Sequence, residues 1–214
     1  VIVEPVAGNM GLVPPVDGFL QGLRDLTSQH GALLIFDEVI TGFGRTGSWL
    51  GSHHFGVVPD LFTFAKAVTS GYVPLSGVVV GPVVSAALES DGGVLRHGYT
   101  YSGHPLATRA GLEALAITED EGLLARVPDL EARFAAGLGA MADDGLVRAV
   151  RGVGAVWAVT VNEGVDAAAA RNRLLDRGLI VRPIGDHLAM CPPLVIDDDQ
   201  VDRLLDGLAA ELRA

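Results

Sequence analysis

Short apolar runs alternate with a helical stretch along the first half of this chain, and that order narrows the choice of fold. Strands are predicted at Val1–Val3, Leu33–Phe36, Leu61–Ala65 and Gly77–Val80, and Val16–His30 has the spacing of an amphipathic helix. A strand, a helix and a second strand in succession imply a right-handed crossover between parallel strands. The predicted fold class is therefore α/β, a mostly parallel sheet with flanking helices.

The second half of the chain has a different pattern. Its pattern predicts a helix from His104 to Thr118. A second helical stretch, with a predicted kink at Pro128, follows and continues to about Met141. After that come predicted strands at Ala155–Val161, Leu179–Arg182 and Leu188–Cys191 and predicted helices at Asp166–Arg177 and Asp198–Leu212. These elements predict a small α+β domain with its own core. We therefore expect a larger domain over residues 1–117, and a linker helix with a small domain over 118–214.

The composition of the chain limits the partners that it can bind and the cellular compartment that suits it. The 214 residues are 49% hydrophobic with a formal net charge of −11, so the chain can bury a core, and nucleic acid or an anionic membrane is a poor partner. No run approaches the roughly 20 apolar residues that cross a bilayer. Cys191 is the only cysteine, which excludes a disulfide within one chain and fits a cytoplasmic setting. The histidines lack metal-ligand spacing, so no metal is expected.

Two reactive side chains follow predicted strands one strand–helix–strand step apart. Asp37 follows the run that ends at Phe36, and Lys66 is the only lysine among 15 basic residues. Ligands of open parallel sheets lie at the carboxyl ends of the strands, so an amine and a carboxylate can face one crevice. Pyridoxal phosphate needs such a pair, a lysine for its aldehyde and an acid for its pyridine nitrogen. A nearby cation also favours the ionised form of Asp37.

Other interpretations of these residues stay open at this point. Leu33–Glu38 also fits a Walker-B strand, whose acid helps to position magnesium, although Lys66 lacks the glycine pattern of a phosphate loop before it. The two acids can also do no more than stabilise the end of a strand. A single lysine can survive by chance where arginine serves as the surface cation elsewhere.

Four motifs, in order, resemble the class III aminotransferases. They are EPVAGNMG at Glu4–Gly11, LLIFDEVITGFGRTG at Leu33–Gly47, PDLFTFAKAVTSGYVPLSGVVV at Pro59–Val80 and HGYTYSGHPLA at His97–Ala107. That family belongs to the fold-type I pyridoxal-phosphate enzymes and includes ω-amino acid:pyruvate aminotransferases and glutamate-1-semialdehyde aminomutase. The resemblance runs nearly end to end. It implies that residues 1–117 are the C-terminal part of the large cofactor-binding domain.

The resemblance assigns roles to four residues around the cofactor. Lys66 matches the Schiff-base lysine that also moves a proton between the substrate Cα and the cofactor, and Asp37 matches the acid that pairs with the pyridinium nitrogen. Val39 matches the apolar side chain that packs on one face of the ring. Thr100 matches a threonine that reaches the cofactor phosphate of the other subunit, which implies a homodimer with shared active sites.

Two further residues are predicted to contact substrate. Arg182 resembles the mobile arginine that clamps the carboxylate of the keto acid in the ω-amino acid:pyruvate group, although a surface salt bridge is the plain alternative. Other members place their carboxylate-binding arginine where this chain has Ala189, which favours the pyruvate-type interpretation. Glu4 resembles an acid near the substrate pocket, but it can equally stabilise the end of its strand.

The functional hypothesis is amino transfer by a ping-pong mechanism from an ω-amino acid or amine to a keto acid such as pyruvate, through a Schiff base at Lys66. The motif EPVAGNMG is closer to the aminomutase branch, so an aminomutase remains the alternative. The chain begins inside a predicted strand, and the family's phosphate loop and ring-stacking aromatic lie upstream of Val1. We therefore expect a fragment with little activity alone, and a non-catalytic pseudoenzyme is the alternative of another class.

Overall fold

The computed structural model describes residues 1–90 and 95–213, which form two compact units. The first unit contains Val1–Pro5, Pro15–Gly44 and Ser48–Gly122; the second contains Val6–Pro14, Arg45–Gly47 and the chain from Leu123 onward. The boundary that the sequence suggested between residues 117 and 118 remains a prediction about the domains of the full protein. Within the described ranges, no helix has both the length and the apolarity that crossing a bilayer requires.

The first unit is built on a four-stranded sheet. Its strands are β1 (Ile2–Val3), β2 (Ile35–Asp37), β3 (Leu61–Phe64) and β4 (Gly77–Val80), and its helices are α1 (Phe19–Gln29), α2 (Gly51–Phe55), α3 (Pro82–Ser90) and α4 (Pro105–Asp120). The order is β1-β2-β3-β4, with two parallel pairs and a final antiparallel pair. The predicted α/β class with a mostly parallel sheet is confirmed. Helix α3 was not predicted, because Val83 and Val84 after Pro82 are typical of a strand.

Strand β2 lies at the centre of the apolar core of this unit. Leu34 and Phe36 are fully buried and pack with Leu20 of α1 and with Val57. Residues two apart in a strand point to the same side, so these alternate positions form one apolar face. Burying a side chain such as Phe36 contributes about 1.5–3 kcal/mol, which fixes the strand whose end carries Asp37.

Asp60 joins α1 to the start of β2. One oxygen of its carboxylate, Oδ2, accepts a hydrogen bond from the Leu34 N–H at 2.7 Å and one from the Arg24 guanidinium at 2.9 Å. Its side chain is only 17% exposed. Burial raises the pKa of Asp60, but the Leu34 N–H and the Arg24 guanidinium outweigh that effect and hold the pKa below its ordinary value.

Asp60→Asn is expected to lower the free energy of unfolding by about 2 kcal/mol at neutral pH. The carboxylate contributes fully above its unfolded-state pKa of about 3.9, and the contribution is lost as the pH falls through the lower folded-state value. Urea unfolding of both proteins across the acid range measures the difference. Asp25→Asn, which removes an exposed carboxylate on α1, is the control. A difference that stays constant into strong acid would contradict this account.

The second unit has an antiparallel sheet covered by three helices. Its elements are α5 (Leu123–Asp143), β5 (Val147–Val153), β6 (Val156–Val161), α6 (Ala167–Asp176), β7 (Arg182–Ile184), β8 (His187–Met190) and α7 (Asp198–Leu212). The order is β5-β6-β8-β7. The predicted helix at Asp198–Leu212 is confirmed. The predicted strand at Leu179–Arg182 is wrong apart from its last residue, because Leu179 and Val181 are buried in the core without pairing in the sheet.

Arg45 ties the short stretch Arg45–Gly47 into this second unit. Its guanidinium donates hydrogen bonds to the carbonyl groups of Pro192 and, at 3.4 Å, Ala155. The carbonyl of Arg45 accepts a hydrogen bond from the Ala155 N–H at 2.9 Å. Burial lowers the pKa of Arg45, while its interaction with Cys191 acts in the opposite direction. Arg45 is therefore a structural anchor in a loop rich in glycine.

Candidate active site

Asp37 is the last residue of β2 and is held by two hydrogen bonds. Its Oδ1 accepts from the Val39 N–H and from the Thr63 hydroxyl, both at 3.1 Å. Thr63 is the residue directly beside Asp37 on the parallel strand β3. Because both donors belong to the strand ends themselves, the sheet orients the half-buried carboxylate. The backbone stretch Asp37–Val39 thus forms a small turn around its own acid.

Lys66 follows the neighbouring strand β3 and has an unusual backbone conformation. The strand ends at Phe64, and Lys66 begins a 3₁₀ turn over Lys66–Thr69 with a φ of +50°. A left-handed conformation at a residue other than glycine costs of the order of 1–3 kcal/mol and persists only where the surrounding structure imposes it. The side chain of Lys66 is exposed. The fold therefore maintains a strained backbone that projects one amine outward.

Two contacts hold the turn that carries Lys66. Thr69 is 2% exposed, and its hydroxyl donates to the Val73 carbonyl at 2.7 Å. Helix α4 packs against the turn at Gly111, where an added Cβ would lie 3.0 Å from a methyl carbon of Leu75 and 3.5 Å from the Val68 carbonyl oxygen. Only a small residue allows this approach, so Gly111 sets how closely α4 supports the turn.

Glu38 is a residue of the site region to which sequence reasoning assigned no role of its own. It is 0% exposed, and its carboxylate accepts from the N–H groups of Gly51 and Ser52, both at 2.7 Å, and from the Thr41 hydroxyl. Its N–H donates to the Thr63 carbonyl at 3.0 Å. The signal was present in the sequence, since Glu38 has the same parity as the buried Phe36 and so points to the core face.

The structure places the remaining predicted residues of the first unit as follows. Val39 is half-buried beside Asp37, and Glu4 is half-buried just after β1. Thr100 is exposed in a turn closed by Tyr99 and Ser102, where the Ser102 N–H donates to the Tyr99 carbonyl at 2.9 Å. Asp37, Val39 and Lys66 thus lie at neighbouring strand ends.

An apolar cavity of about 660 Å³ lies elsewhere in the first unit. Its walls include Phe62, Phe64, Val68, Val79 and Leu112, with Glu119 at its edge. Neither Asp37 nor Lys66 lines it. The cavity therefore does not include the two reactive residues that the sequence predicted at the strand ends.

Arg182 begins β7 in the second unit. Its guanidinium donates a hydrogen bond to the Asn9 side chain at 3.3 Å, and both residues are exposed. Ala189, the position at which the resemblance implies an arginine in other members, lies directly opposite Arg182 on β8. Opposite residues of an antiparallel pair share one face, with Cβ atoms about 4.5–5.5 Å apart. An arginine at either position would therefore reach the same region.

Comparison with known proteins defines the family. The family model for aminotransferase class-III matches residues 1–212. The chain belongs to the class III aminotransferases. Two curated members are similar over 95% of this chain and 47% of their own length: a diaminobutyrate–2-oxoglutarate transaminase of Halomonas elongata (43% identical) and a putrescine–pyruvate aminotransferase of Pseudomonas aeruginosa (40% identical).

A solved transaminase structure has the same fold over this chain. An (S)-enantioselective omega-transaminase from Thermomicrobium roseum superposes with a TM-score of 0.94 at 39% identity, covering 99% of this chain and 50% of that one. The chain thus has the fold of the corresponding part of fold-type I transaminases. It spans about half the length of the class III aminotransferases that it matches.

Proposed function

We propose that the protein is a pyridoxal-phosphate-dependent aminotransferase that moves an amino group from an ω-amino acid or amine to a keto acid such as pyruvate. The observation that carries the proposal is that Asp37 ends β2 and Lys66 follows β3, two adjacent parallel strands of one sheet. Ligands of such sheets bind at the carboxyl ends of the strands. The amine and the carboxylate there are the two groups that this cofactor requires of its protein.

The residues present fit the cofactor in their chemistry. When bound, pyridoxal phosphate supplies an aldehyde that captures amines and a pyridinium ring that accepts electrons. Lys66 would attach it and Asp37 would hold the ring nitrogen protonated, because a carboxylate stabilises a neighbouring cation. The hydrogen bonds from Thr63 and Val39 use Oδ1 of Asp37. These two hydrogen bonds fix the orientation of the carboxylate that would pair with the ring nitrogen.

Lys66 has a second proposed role as the base and acid of the reaction. Its amine would accept the proton from the substrate Cα and donate it again during amino transfer. Lysine suits this task because its amine can lose its proton, whereas an arginine remains charged. The exposed side chain on a supported turn allows movement of the amine without movement of the backbone. Val39 would pack against one face of the ring.

The remaining proposed contacts involve substrate and a second subunit. Arg182 would bind the carboxylate of the keto acid by paired hydrogen bonds. Glu4 would lie near the substrate pocket, and Thr100 would contact the cofactor phosphate of a second copy in a homodimer. Exposure of Thr100 agrees with such a role. We keep a cytoplasmic location as part of the proposal, since one cysteine in 214 residues fits a reducing compartment.

Transfer between two substrates is favoured over the aminomutase alternative. The two curated relatives described above are named as transaminases, one with pyruvate and one with 2-oxoglutarate as partner substrate. Transfer to a separate keto acid by a ping-pong mechanism gives parallel double-reciprocal lines, whereas exchange within one substrate needs no keto acid. Pyruvate and 2-oxoglutarate should both be tested as acceptors.

Lys66 of the full-length protein is expected to carry the cofactor. The protein is incubated with pyridoxal phosphate, reduced with borohydride, digested and analysed by mass spectrometry. Reduction turns the lysine–cofactor linkage into a stable secondary amine, and Lys66 is the only lysine in these 214 residues, so the peptide identifies it. Lys66→Arg, which keeps the positive charge, is the matched control and should abolish labelling of this peptide.

Two results would overturn the proposed cofactor role. Labelling of a lysine outside this chain with none at Lys66 would move the cofactor site elsewhere. A full-length protein with no labelled lysine would leave the fold as that of a non-catalytic relative. The amino-terminal amine is checked separately, because it can also react with the aldehyde.

A further inference from the structure

The motif that departs from the transaminase pattern, EPVAGNMG, contacts Arg182. Asn9, in the middle of that motif, accepts the hydrogen bond from the Arg182 guanidinium at 3.3 Å, although the two residues are far apart in the chain. Both belong to the second unit. The part of the motif that resembled aminomutases thus has a structural partner of its own, the arginine proposed to bind the acceptor.

The loop that presents Asn9 is closed and anchored. Its ends pair through hydrogen bonds from the Ala7 N–H to the Val13 carbonyl at 2.9 Å and from the Val13 N–H to the Ala7 carbonyl at 3.1 Å. Arg151 of β5 donates its Nε–H to the Gly11 carbonyl at 2.6 Å. A closed loop fixed to a strand can hold a side chain in one place.

Gly11 lets this loop lie close to the sheet. Its φ is +86°, a conformation that glycine adopts readily. A Cβ at this position would lie 2.3 Å from a ring carbon of His187 and 2.6 Å from the Arg151 guanidinium. The backbone beside Asn9 therefore packs against β5 and β8, and this close contact fixes its distance from the sheet.

The chemistry of the Asn9 amide suits an arginine that must still bind an anion. Arginine only donates hydrogen bonds, so the amide oxygen of Asn9 must face it. That oxygen belongs to a neutral amide, so the positive charge of Arg182 remains available to bind a substrate carboxylate. An aspartate at this position would neutralise that charge. The NH₂ group of Asn9 then remains as a further donor for a carboxylate that arrives at Arg182.

We propose that Asn9 is a positioning residue for Arg182 that raises the selectivity of the enzyme for acceptors that carry a carboxylate. The proposal rests on the proposed function of Arg182. Asn9 orients the guanidinium through a neutral contact, and it contributes an N–H donor beside it. The closed loop from Ala7 to Val13 fixes its position.

The test compares pyruvate with acetaldehyde, which lacks only the carboxylate, as acceptors for the full-length enzyme. Asn9→Ala is expected to raise the KM for pyruvate about 3–10-fold, the effect of losing one modest hydrogen bond to a charged group. Asn9→Asp is expected to raise it by at least about 10-fold, because the new carboxylate competes with the substrate. In both variants, the KM for acetaldehyde should change by a much smaller factor than the KM for pyruvate. The Kd of propanoate, measured by calorimetry, should rise in parallel with the KM for pyruvate.

Met10→Ala is the matched control, since Met10 is 70% exposed in the same turn and should leave both acceptors unaffected. The proposal fails if pyruvate and acetaldehyde are affected equally, if Met10→Ala matches Asn9→Ala, or if Asn9→Ala lowers the KM for pyruvate. Arg182→Leu separates the two proposals. An unchanged KM for pyruvate in that variant refutes the proposed role of Arg182 itself, whereas a raised KM there, with no effect of Asn9→Ala, refutes only the inference about Asn9.

Discussion

Lys66→Ala in the full-length protein is expected to lower the rate of amino transfer at saturating substrates by at least about 10⁴-fold. The substitution removes the amine proposed to attach the cofactor, which is also the base proposed to move the substrate proton, and proton transfer alone is worth about 10²–10⁴ in rate. The rate is measured with a saturating amine and pyruvate. Circular dichroism should show an unchanged fold, because the exposed side chain of Lys66 contributes little to the core.

Chemical rescue distinguishes proton transfer from a structural effect at Lys66. Added methylamine should restore part of the activity of Lys66→Ala, because a small free amine can occupy the space and carry the proton. Lys66→Arg should not be rescued, since the guanidinium fills that space and stays charged at any ordinary pH. An alanine variant that keeps more than about a tenth of the wild-type rate would contradict the proton-transfer role.

Glu38→Ala is expected to lower the free energy of unfolding by about 3–5 kcal/mol. The N–H groups of Gly51 and Ser52, at the start of α2, would lose their acceptor in a fully buried place. Each unsatisfied buried donor costs about 1–3 kcal/mol, and the cavity left by the side chain adds to that. Chemical denaturation followed by circular dichroism measures the change.

Two further substitutions calibrate the effect at Glu38. Glu38→Gln keeps one acceptor oxygen but turns an NH₂ group towards donors, so about 1–3 kcal/mol is expected. Glu119→Ala removes an exposed carboxylate of the same unit and should change stability by less than about 0.5 kcal/mol. If Glu38→Ala and Glu119→Ala had the same free energy of unfolding, the three hydrogen bonds to the Glu38 carboxylate would make no net contribution to stability.

Elements with a continuous apolar face were predictable from the sequence. Helix α7 follows the predicted position because its apolar side chains repeat with the period of a helix, and strand β3 does so because it lies in a short apolar run. Strand β5 was missed because Arg148 and Arg151 interrupt its apolar run. Their Nε–H groups donate to the carbonyls of Val161 and Gly11 at 2.8 and 2.6 Å, partners that the local sequence does not reveal.

The candidate site was predictable only in part. The positions of Asp37 and Lys66 at neighbouring strand ends were predictable, since a reactive group after a buried strand of a parallel sheet has few other places to lie, and their roles toward the cofactor stay predictions. The roles of Val39, Thr100, Arg182 and Glu4 depended on resemblance and stay predictions. The contact between Asn9 and Arg182 was out of reach, because a hydrogen bond between distant parts of a chain depends on packing that periodicity does not encode.

The three-part make-up of the second unit has a consequence for protein engineering. A chimera that exchanged only the chain from Leu123 onward with a relative would leave Val6–Pro14 and Arg45–Gly47 behind. The foreign sheet would then meet a mismatched loop at Arg151 and a mismatched anchor at Pro192. Transplants of this module should therefore move all three stretches together. Natural recombination by a single crossover at Leu123 would face the same obstacle.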